Sequence, residues 1–329
     1  MQVSPSVRAV QVPDDSPMHP QCTSIYLVGC GQVLTIDSGE AVDRYRWMLR
    51  GYLAATERAE VALAALTHHH LDHAGNLGWI REHLRAEILV PPEAPALLEG
   101  ELPDEGVSTL RDGQRLDLGD GVAVQVLLTP GHSIDSVCYY LEEEGVLFSG
   151  DTLLGTGTTT VRDLDDYMAS LRRLLGLPNL RIICPGHGPI VDDPRERLQQ
   201  YLDHRNERER QILDVLAASG EATSWEIMLR LYTDINPRLR RAADGNVQTH
   251  LRKLEREGRL AVYPGERKHV SDEERGRLEE EAKRRSEAQA EAEKQAAEAR
   301  RAAIIAQENP PTEEWELPPR YELVGRARE

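Results

Sequence analysis

Residues 67–76, T-H-H-H-L-D-H-A-G-N, place four histidines and one aspartate within six consecutive positions. An apolar core has no use for such a run, whereas neutral imidazole and carboxylate are ligands of first-row metals. His68 and His70, two apart, point the same way from an extended segment but lie on different faces of a helix. The spacing therefore puts them on a strand end or loop, with Asp72 and His73 where the chain must turn. Downstream come His132 in T-P-G-H-S, Asp151 in F-S-G-D-T and His187 in C-P-G-H-G. Each of these alone is an ordinary turn or cap residue. Their recurrence, one at the end of each successive apolar run, points to a metal site rather than to a solvated run of surface histidines.

The elements that must position them are legible from periodicity. The stretch 60–66, E-V-A-L-A-A-L, reads as a buried strand, and from Gly75 onward the pattern is that of a starting helix. Three β-like runs fill the first forty residues, and a helical pattern over 41–57 carries Tyr45, Met48, Leu49, Tyr52 and Leu53. Between 87 and 121 the sequence predicts a strand at 88–90, a helix at 93–98 and otherwise acidic turns. Apolar strands precede His132, Asp151 and His187, with a helix over 164–175. Four strands thus deliver ligand-type residues at their C-terminal ends, as layered α/β architectures do. A long helix at 195–217 follows, then a helix capped by Ser224, then one with Val247, Leu251 and Leu254 ending at Gly258. The run L-A-V-Y-P-G-E-R-K-H-V reads as a two-stranded wing. Residues 271–308 form a charged helical pattern without a sustained apolar stripe, stopped by Pro310 and Pro311. The end, with Trp315 and Tyr321, reads either as a docking segment or as a disordered terminus.

Net charge is −17, unevenly spread. Residues 1–200 hold 15 Lys and Arg against 29 Asp and Glu, residues 201–270 hold 13 against 11, and residues 271–329 hold 11 against 16. A broad cationic footprint for nucleic acid is absent, so a polyanion must be gripped locally. His250, Arg252, Lys253, Arg256 and Arg259 give the third helix of the wing region positive charge, interleaved with Glu255 and Glu257. They serve either a nucleic-acid reader or a solvated face, and the region could equally act as a lid or as the surface of a homo-oligomer. Cys22, Cys30, Cys138 and Cys184 are too widely spaced for a C-x-x-C site and fit free thiols of a reducing compartment. No run approaches the ~20 apolar residues of a membrane span. The expectation is a cytoplasmic protein without membrane contact.

The set H-x-H-x-D-H, then G-H, G-D-T and P-G-H-G, resembles the metallo-beta-lactamase superfamily. That resemblance implies an α/β protein with a four-layer αβ/βα sandwich and a metal site at one edge. It implies that His68, His70 and His132 hold a first zinc, that Asp72, His73 and His187 hold a second, and that Asp151 bridges them. The segments G-D-T-L-L-G-T-G-T-T-T-V-R-D, Y-L-D-H-R-N-E-R-E-R-Q-I-L and H-L-R-K-L-E-R-E-G-R-L are similar to the beta-lactamase-like protein 2 group, which adds a C-terminal winged-helix domain. The implied division is a catalytic domain at 1–195, a linker helix and winged helix at 196–270, and a charged helical tail at 271–329, the tail having no counterpart in the group. Members of the group are zinc endoribonucleases on single-stranded RNA, and fungal relatives are acyl-carrier thioesterases. One further departure is that the N-T-Y-L pattern before the second strand is missing. Zinc enzymes that open β-lactams generally carry Cys where Asp151 stands, so that activity is not expected.

The expected function is a dinuclear zinc hydrolase whose nucleophile is a hydroxide shared by two ions. An RNA phosphodiester is the first substrate reading and a thioester or other small ester the second. A winged-helix interaction protein with a merely structural metal comes third. Asp72 and Asp151 act through the metals, while His69, Ser133 and Thr158 are the candidates for protonating the leaving group. Asp37 and Thr67 are expected to orient the ligand histidines. No triad supports a Ser or Cys nucleophile.

Overall fold

The computed structural model describes residues 1–13, 21–56, 60–267, 315–317 and 319–323. The chain divides into two compact units, Met1–Asn206 and Glu207–Glu329. The charged helix expected over 271–308 lies outside the described residues.

The first unit holds two sheets. Strands β1 (Gln2–Ser4), β2 (Val7–Pro13), β3 (Cys22–Val28), β4 (Gln32–Ile36), β5 (Glu60–Ala65), β6 (Glu87–Val90) and β7 (Val107–Thr109) form the first, in that spatial order. β1 to β4 pair antiparallel, and β4 to β7 parallel. The second sheet, in the order β12-β11-β10-β9-β8, contains β8 (Arg115–Asp117), β9 (Ala123–Leu128), β10 (Val137–Leu141), β11 (Val146–Gly150) and β12 (Ile182–Pro185). Only β11 and β12 pair parallel there. Parallel neighbours require crossovers. These are α1 (Asp43–Ala55) between β4 and β5, the short α2 (Leu71–Ala74) with α3 (Leu77–Leu84) between β5 and β6, α4 (Ala94–Leu97) after β6, and α5 (Leu164–Leu175) between β11 and β12.

Side-chain alternation fixes the layers. Tyr26 and Val28 of β3 join Val137, Tyr139, Val146 and Phe148 in a core between the sheets. Ile25 and Leu27 point the other way, onto Tyr45 and Leu49 of α1 and Leu77 and Ile80 of α3. Cys138, Tyr140 and Leu147 likewise meet Leu164, Tyr167, Met168 and Leu171 of α5. The result is the helix–sheet–sheet–helix sandwich, with both faces of each sheet covered. β7 and β8 occupy the stretch read as turns, because three-residue strands at sheet edges are too short to show a period of two.

Helix α6 (Pro194–Ser219) crosses the division between the units, which falls after Asn206 rather than at 195. Its first turns carry Leu198, Tyr201 and Leu202 into the core of the first unit, and its later turns carry Ile212 and Leu216 into that of the second. The second unit continues with β13 (Glu221–Thr223), α7 (Ser224–Leu231), a 3-10 turn (Pro237–Leu239) and α8 (Arg240–Arg256), then β14 (Leu260–Tyr263), β15 (Glu266–Arg267), β16 (Trp315–Leu317) and β17 (Arg320–Leu323). The cap of α7 is Thr223, not Ser224. Its hydroxyl accepts from Glu226 N–H while the Glu226 carboxylate accepts from Thr223 N–H, a capping box.

The wing also differs from the expected hairpin. β14 pairs with β17, which lies between β13 and β14, and β15 pairs with β16. Tyr321 of β17 packs against the core of this unit. Among the described residues no helix is long and apolar enough to cross a membrane.

Candidate metal centre

The C-terminal ends of β5, β9, β11 and β12 meet at one edge of the first unit, and the seven expected ligand residues come together there. His68, His70, His132 and Asp151 form one group, and Asp72, His73 and His187 a second, the ligand atoms of each group lying within 4.8 Å of one another. Close backbone approach makes this possible. Gly150 has φ +48° and a Cβ there would stand 2.7 Å from Thr67, while a Cβ on Gly186 would stand 2.6 Å from Asp151 Oδ1 and from His73 Cε1.

Hydrogen bonds on the far side of each ring set which nitrogen faces the centre. Asp37 is buried; its Oδ1 accepts from Thr67 N–H at 2.8 Å and its Oδ2 accepts from Thr67 Oγ1 at 2.9 Å and from His73 Nδ1 at 2.7 Å. Having given its proton to Asp37, the Thr67 hydroxyl can only accept from His68 Nδ1, 3.0 Å away. His132 Nδ1 donates to Thr160 O at 2.9 Å. In the neutral rings of His68, His73 and His132, therefore, the Nε2 lone pair is the one directed inward. His187 Nδ1 lies 3.1 Å from Thr23 Oγ1, which leaves its Nε2 facing inward too.

Those inward atoms crowd together. His70 Nδ1 is 2.9 Å from His68 Nε2 and 3.3 Å from His132 Nε2. His73 Nε2 is 3.2 Å from His187 Nε2, 3.3 Å from Asp72 Oδ2 and 3.4 Å from Asp151 Oδ1. Asp151 Oδ2 is 3.4 Å from His187 Nε2 and 3.9 Å from His132 Nε2. Asp151 Oδ1 is buried without a hydrogen-bond donor. Lone pairs facing lone pairs, beside carboxylates in a dry site, repel unless positive charge sits among them. The donor set of imidazoles and carboxylates fits borderline divalent metals better than the all-oxygen shells of calcium or magnesium.

The ionisation tendencies agree. Burial pushes His68, His70 and His132 down, His70 to about 4, so all three offer neutral nitrogens at neutral pH. Burial also pushes His187 down, but the Asp151 carboxylate and hydrogen bonds to Asp151 and Asp72 outweigh it and raise it to about 9. His73 is raised against its own burial by Asp72 and Asp37. Asp72 and Asp151, which burial alone would raise, are held well below the usual carboxylate range by His73 and His187. The carboxylates of this half therefore favour positive charge beside them, on the rings or between them.

The remaining candidates are placed differently. His69 turns away from both groups, its Nδ1 2.8 Å from Asp135 Oδ1. Ser133 Oγ donates to that same oxygen. Thr158 is exposed, and its buried neighbour Thr159 is the one that reaches His132, Oγ1 lying 2.9 Å from Nδ1. Thr23, Asp135 and Thr159 escaped the sequence reading, because isolated Thr and Asp in loops carry no pattern until the chain is folded. In the second unit His250 is 1% exposed, which withdraws it from any surface that α8 presents. Lys253 and Arg259 both bond Glu209 at 2.8 Å and also reach Glu257, so their charge is neutralised locally. Arg252 and Arg256 are exposed.

Residues 19–187 match the family model described as Metallo-beta-lactamase superfamily, and residues 223–264 match Beta-lactamase associated winged helix domain. The chain is 36% identical over 261 residues to a Beta-lactamase-like protein 2 homolog of Caenorhabditis elegans, covering 78% of this chain and 86% of that protein. It is 38% identical over 245 residues to an Atrochrysone carboxyl ACP thioesterase of Aspergillus fumigatus, covering 69% and 74%. Among solved structures, a metallo-beta-lactamase family protein from Thermus thermophilus superposes with TM-score 0.65 at 29% identity, covering 79% of this chain and 96% of that one.

Proposed function

From the premise that the chain belongs to the metallo-beta-lactamase superfamily of hydrolases, we propose that it is a dinuclear zinc enzyme that hydrolyses a thioester or ester with an apolar acyl group. The observation that carries the substrate class is the make-up of the ligand loops. Residues 67–76, 129–136, 151–160 and 185–189 contain no Lys or Arg, while two of these loops hold the exposed apolar side chains Leu71 and Ile134, 57% and 53% accessible. A polyanion finds no cationic grip there, and an acyl chain finds apolar surface. The similarity to a protein named as an acyl-carrier thioesterase supports the same reading.

Zinc held by His68, His70 and His132, and by Asp72, His73 and His187, with Asp151 near both sets, would supply a Lewis acid and water of pKa ~7. The chain's own contribution is preorganisation. Asp37, Thr67 and Thr160 orient His73, His68 and His132 so that the neutral rings present Nε2 lone pairs, and Thr23 holds His187 with its Nε2 inward. Leu71 and Ile134 seat the acyl group and exclude water beside the scissile bond. A thiolate, with a pKa near ~8.5, leaves without strong help from an acid, so a thioester needs no dedicated donor, which favours it over an ester. Ser133 gives its proton to Asp135, His69 turns its Nδ1 to the same Asp135 oxygen, and Thr158 is exposed beside the buried Thr159, so none of the three is aimed at the centre.

Hydrolysis of single-stranded RNA is the second reading. It is favoured by the winged-helix unit with Arg252 and Arg256 exposed on α8. The test sets zinc-loaded protein against a medium-chain acyl thioester and a labelled single-stranded RNA, with the His68→Ala, His70→Ala variant as control. Thiol release by the wild type alone supports the thioester reading. RNA cleavage without thiol release replaces it with the second, and neither product in a protein holding two zinc ions refutes both.

A further inference from the structure

The loop 151–160 touches three of the seven ligands. It begins with Asp151, its Gly155 N–H donates to His187 O at 2.9 Å, and it ends with Thr159 Oγ1 and Thr160 O on His132 Nδ1. Its own composition, D-T-L-L-G-T-G-T-T-T, contains little to hold it rigid. The rigidity comes from outside. Tyr201 Oη accepts from Leu154 N–H at 3.0 Å, and Tyr167 Oη donates to Thr152 O at 2.7 Å. Arg197 Nη2 donates to Leu154 O at 3.2 Å and Gly157 O at 2.8 Å, and Arg205 Nη2 donates to Thr159 O at 2.6 Å.

Arg205 is the telling member. It is 2% exposed, and among the described residues its partners are Thr159 O and the Tyr167 ring, with no carboxylate in ion-pair contact. Its guanidinium lies over the Tyr167 ring, 5.3 Å from the centroid, as that of Arg197 lies 4.9 Å from the Tyr201 centroid. Burying a cation without a counter-charge is costly. A Met of similar length would fill the volume without that cost, but it could not donate to a carbonyl one residue away from the acceptor that fixes His132.

We propose that Arg197 and Arg205 are positioning residues of the metal centre, holding the loop 151–160 from α6 so that Asp151, His132 and His187 keep ligand geometry. The inference rests on the metal-binding reading above, and its test separates the two. Full-length wild type, Arg205→Met, Arg205→Lys and Arg197→Met are loaded with zinc and titrated against a chromogenic chelator. Cobalt-substituted samples are compared by visible absorption, and each melting temperature is recorded. Loss of a partner that orients ligands weakens metal binding about 10–100-fold. Arg205→Met is therefore expected to release at least one zinc that much more readily and to alter the cobalt bands, with partial recovery in Arg205→Lys, which keeps a donor. If Arg205→Met does not fold, Arg197→Met, at a half-buried position, decides by the same readings. Unchanged affinity and cobalt spectra in the folded variants, whatever happens to the melting temperature, overturn the positioning role. A wild type that binds no zinc overturns the metal reading, and this inference with it.

Discussion

Replacing Asp37 with Asn changes one oxygen for an amide and should disable a ligand in each group at once. The backbone tolerates the change, because Asp37 has φ +64° and Asn adopts that left-handed region readily. The remaining amide oxygen can keep the Thr67 N–H bond of 2.8 Å. The NH2 then stands where Oδ2 accepted from His73 Nδ1 and Thr67 Oγ1. Both contacts must reverse. His73 becomes an acceptor at Nδ1 and carries its proton on Nε2, and the Thr67 hydroxyl, now accepting from Asn, turns its proton onto His68 Nδ1. Two rings that offered lone pairs to the centre now offer N–H groups. Orienting partners are worth about 10–100-fold in metal affinity, or about 1.4–2.8 kcal/mol at each group. The apo fold should lose little, since every buried group keeps a partner. Zinc affinity by chelator competition and imidazole tautomers by long-range 15N correlation in the apo protein measure the two halves. Asp37→Asn binding two zinc ions with wild-type affinity would refute the tautomer argument.

Leu71→Ser and Ile134→Ser should each remove about 1 kcal/mol of acyl burial, on the order of fivefold in kcat/KM for a long-chain acyl thioester. The effect should vanish for an acetyl thioester, and an equal loss on both substrates would count against the acyl-seat assignment. Burial raises the Asp244 carboxyl, so the folded unit favours its protonated form. That contribution is fully present below the unfolded pKa of ~3.9 and is lost as pH rises through the higher folded value. Asp244→Asn, which can still accept the 2.7 Å bond from Gln248 Nε2, should raise the melting temperature at pH 7 by on the order of 3 °C and leave it unchanged at pH 3. Deleting residues 310–329 removes β17, which pairs three residues of β13 and four of β14. At ~0.5–1 kcal/mol net per hydrogen bond the second unit should lose on the order of 4 kcal/mol, seen as early melting by calorimetry. A truncated chain with an unchanged profile would show that β17 contributes nothing to that sheet's stability.

Features that depend on local order are legible in the chain alone. The spacing H-x-H-x-D-H and the three later Gly-flanked ligands are readable because each motif contains its own geometry: alternation along a strand and a tight turn at its end. Helix α5 is likewise legible over its whole length, because its apolar positions recur at the helical period and Asp163 caps it by accepting from the N–H groups of Asp165 and Asp166. The pairing of β17 into the second unit was not readable, since a four-residue strand about sixty residues from β14 and about a hundred from β13 looks the same whether it docks or dangles. The neutralisation of Lys253 and Arg259 by Glu209 also depends on a helix earlier in the chain, 44 and 50 residues away. The same holds for Thr23 on His187, Thr159 on His132 and Arg205 on Thr159, contacts spanning 164, 27 and 46 residues. Ligand identity is a property of side-chain chemistry at fixed local spacing. Ligand orientation is a property of which distant backbone and hydroxyl groups the folded sheets bring behind each ring, and only the tertiary structure decides that.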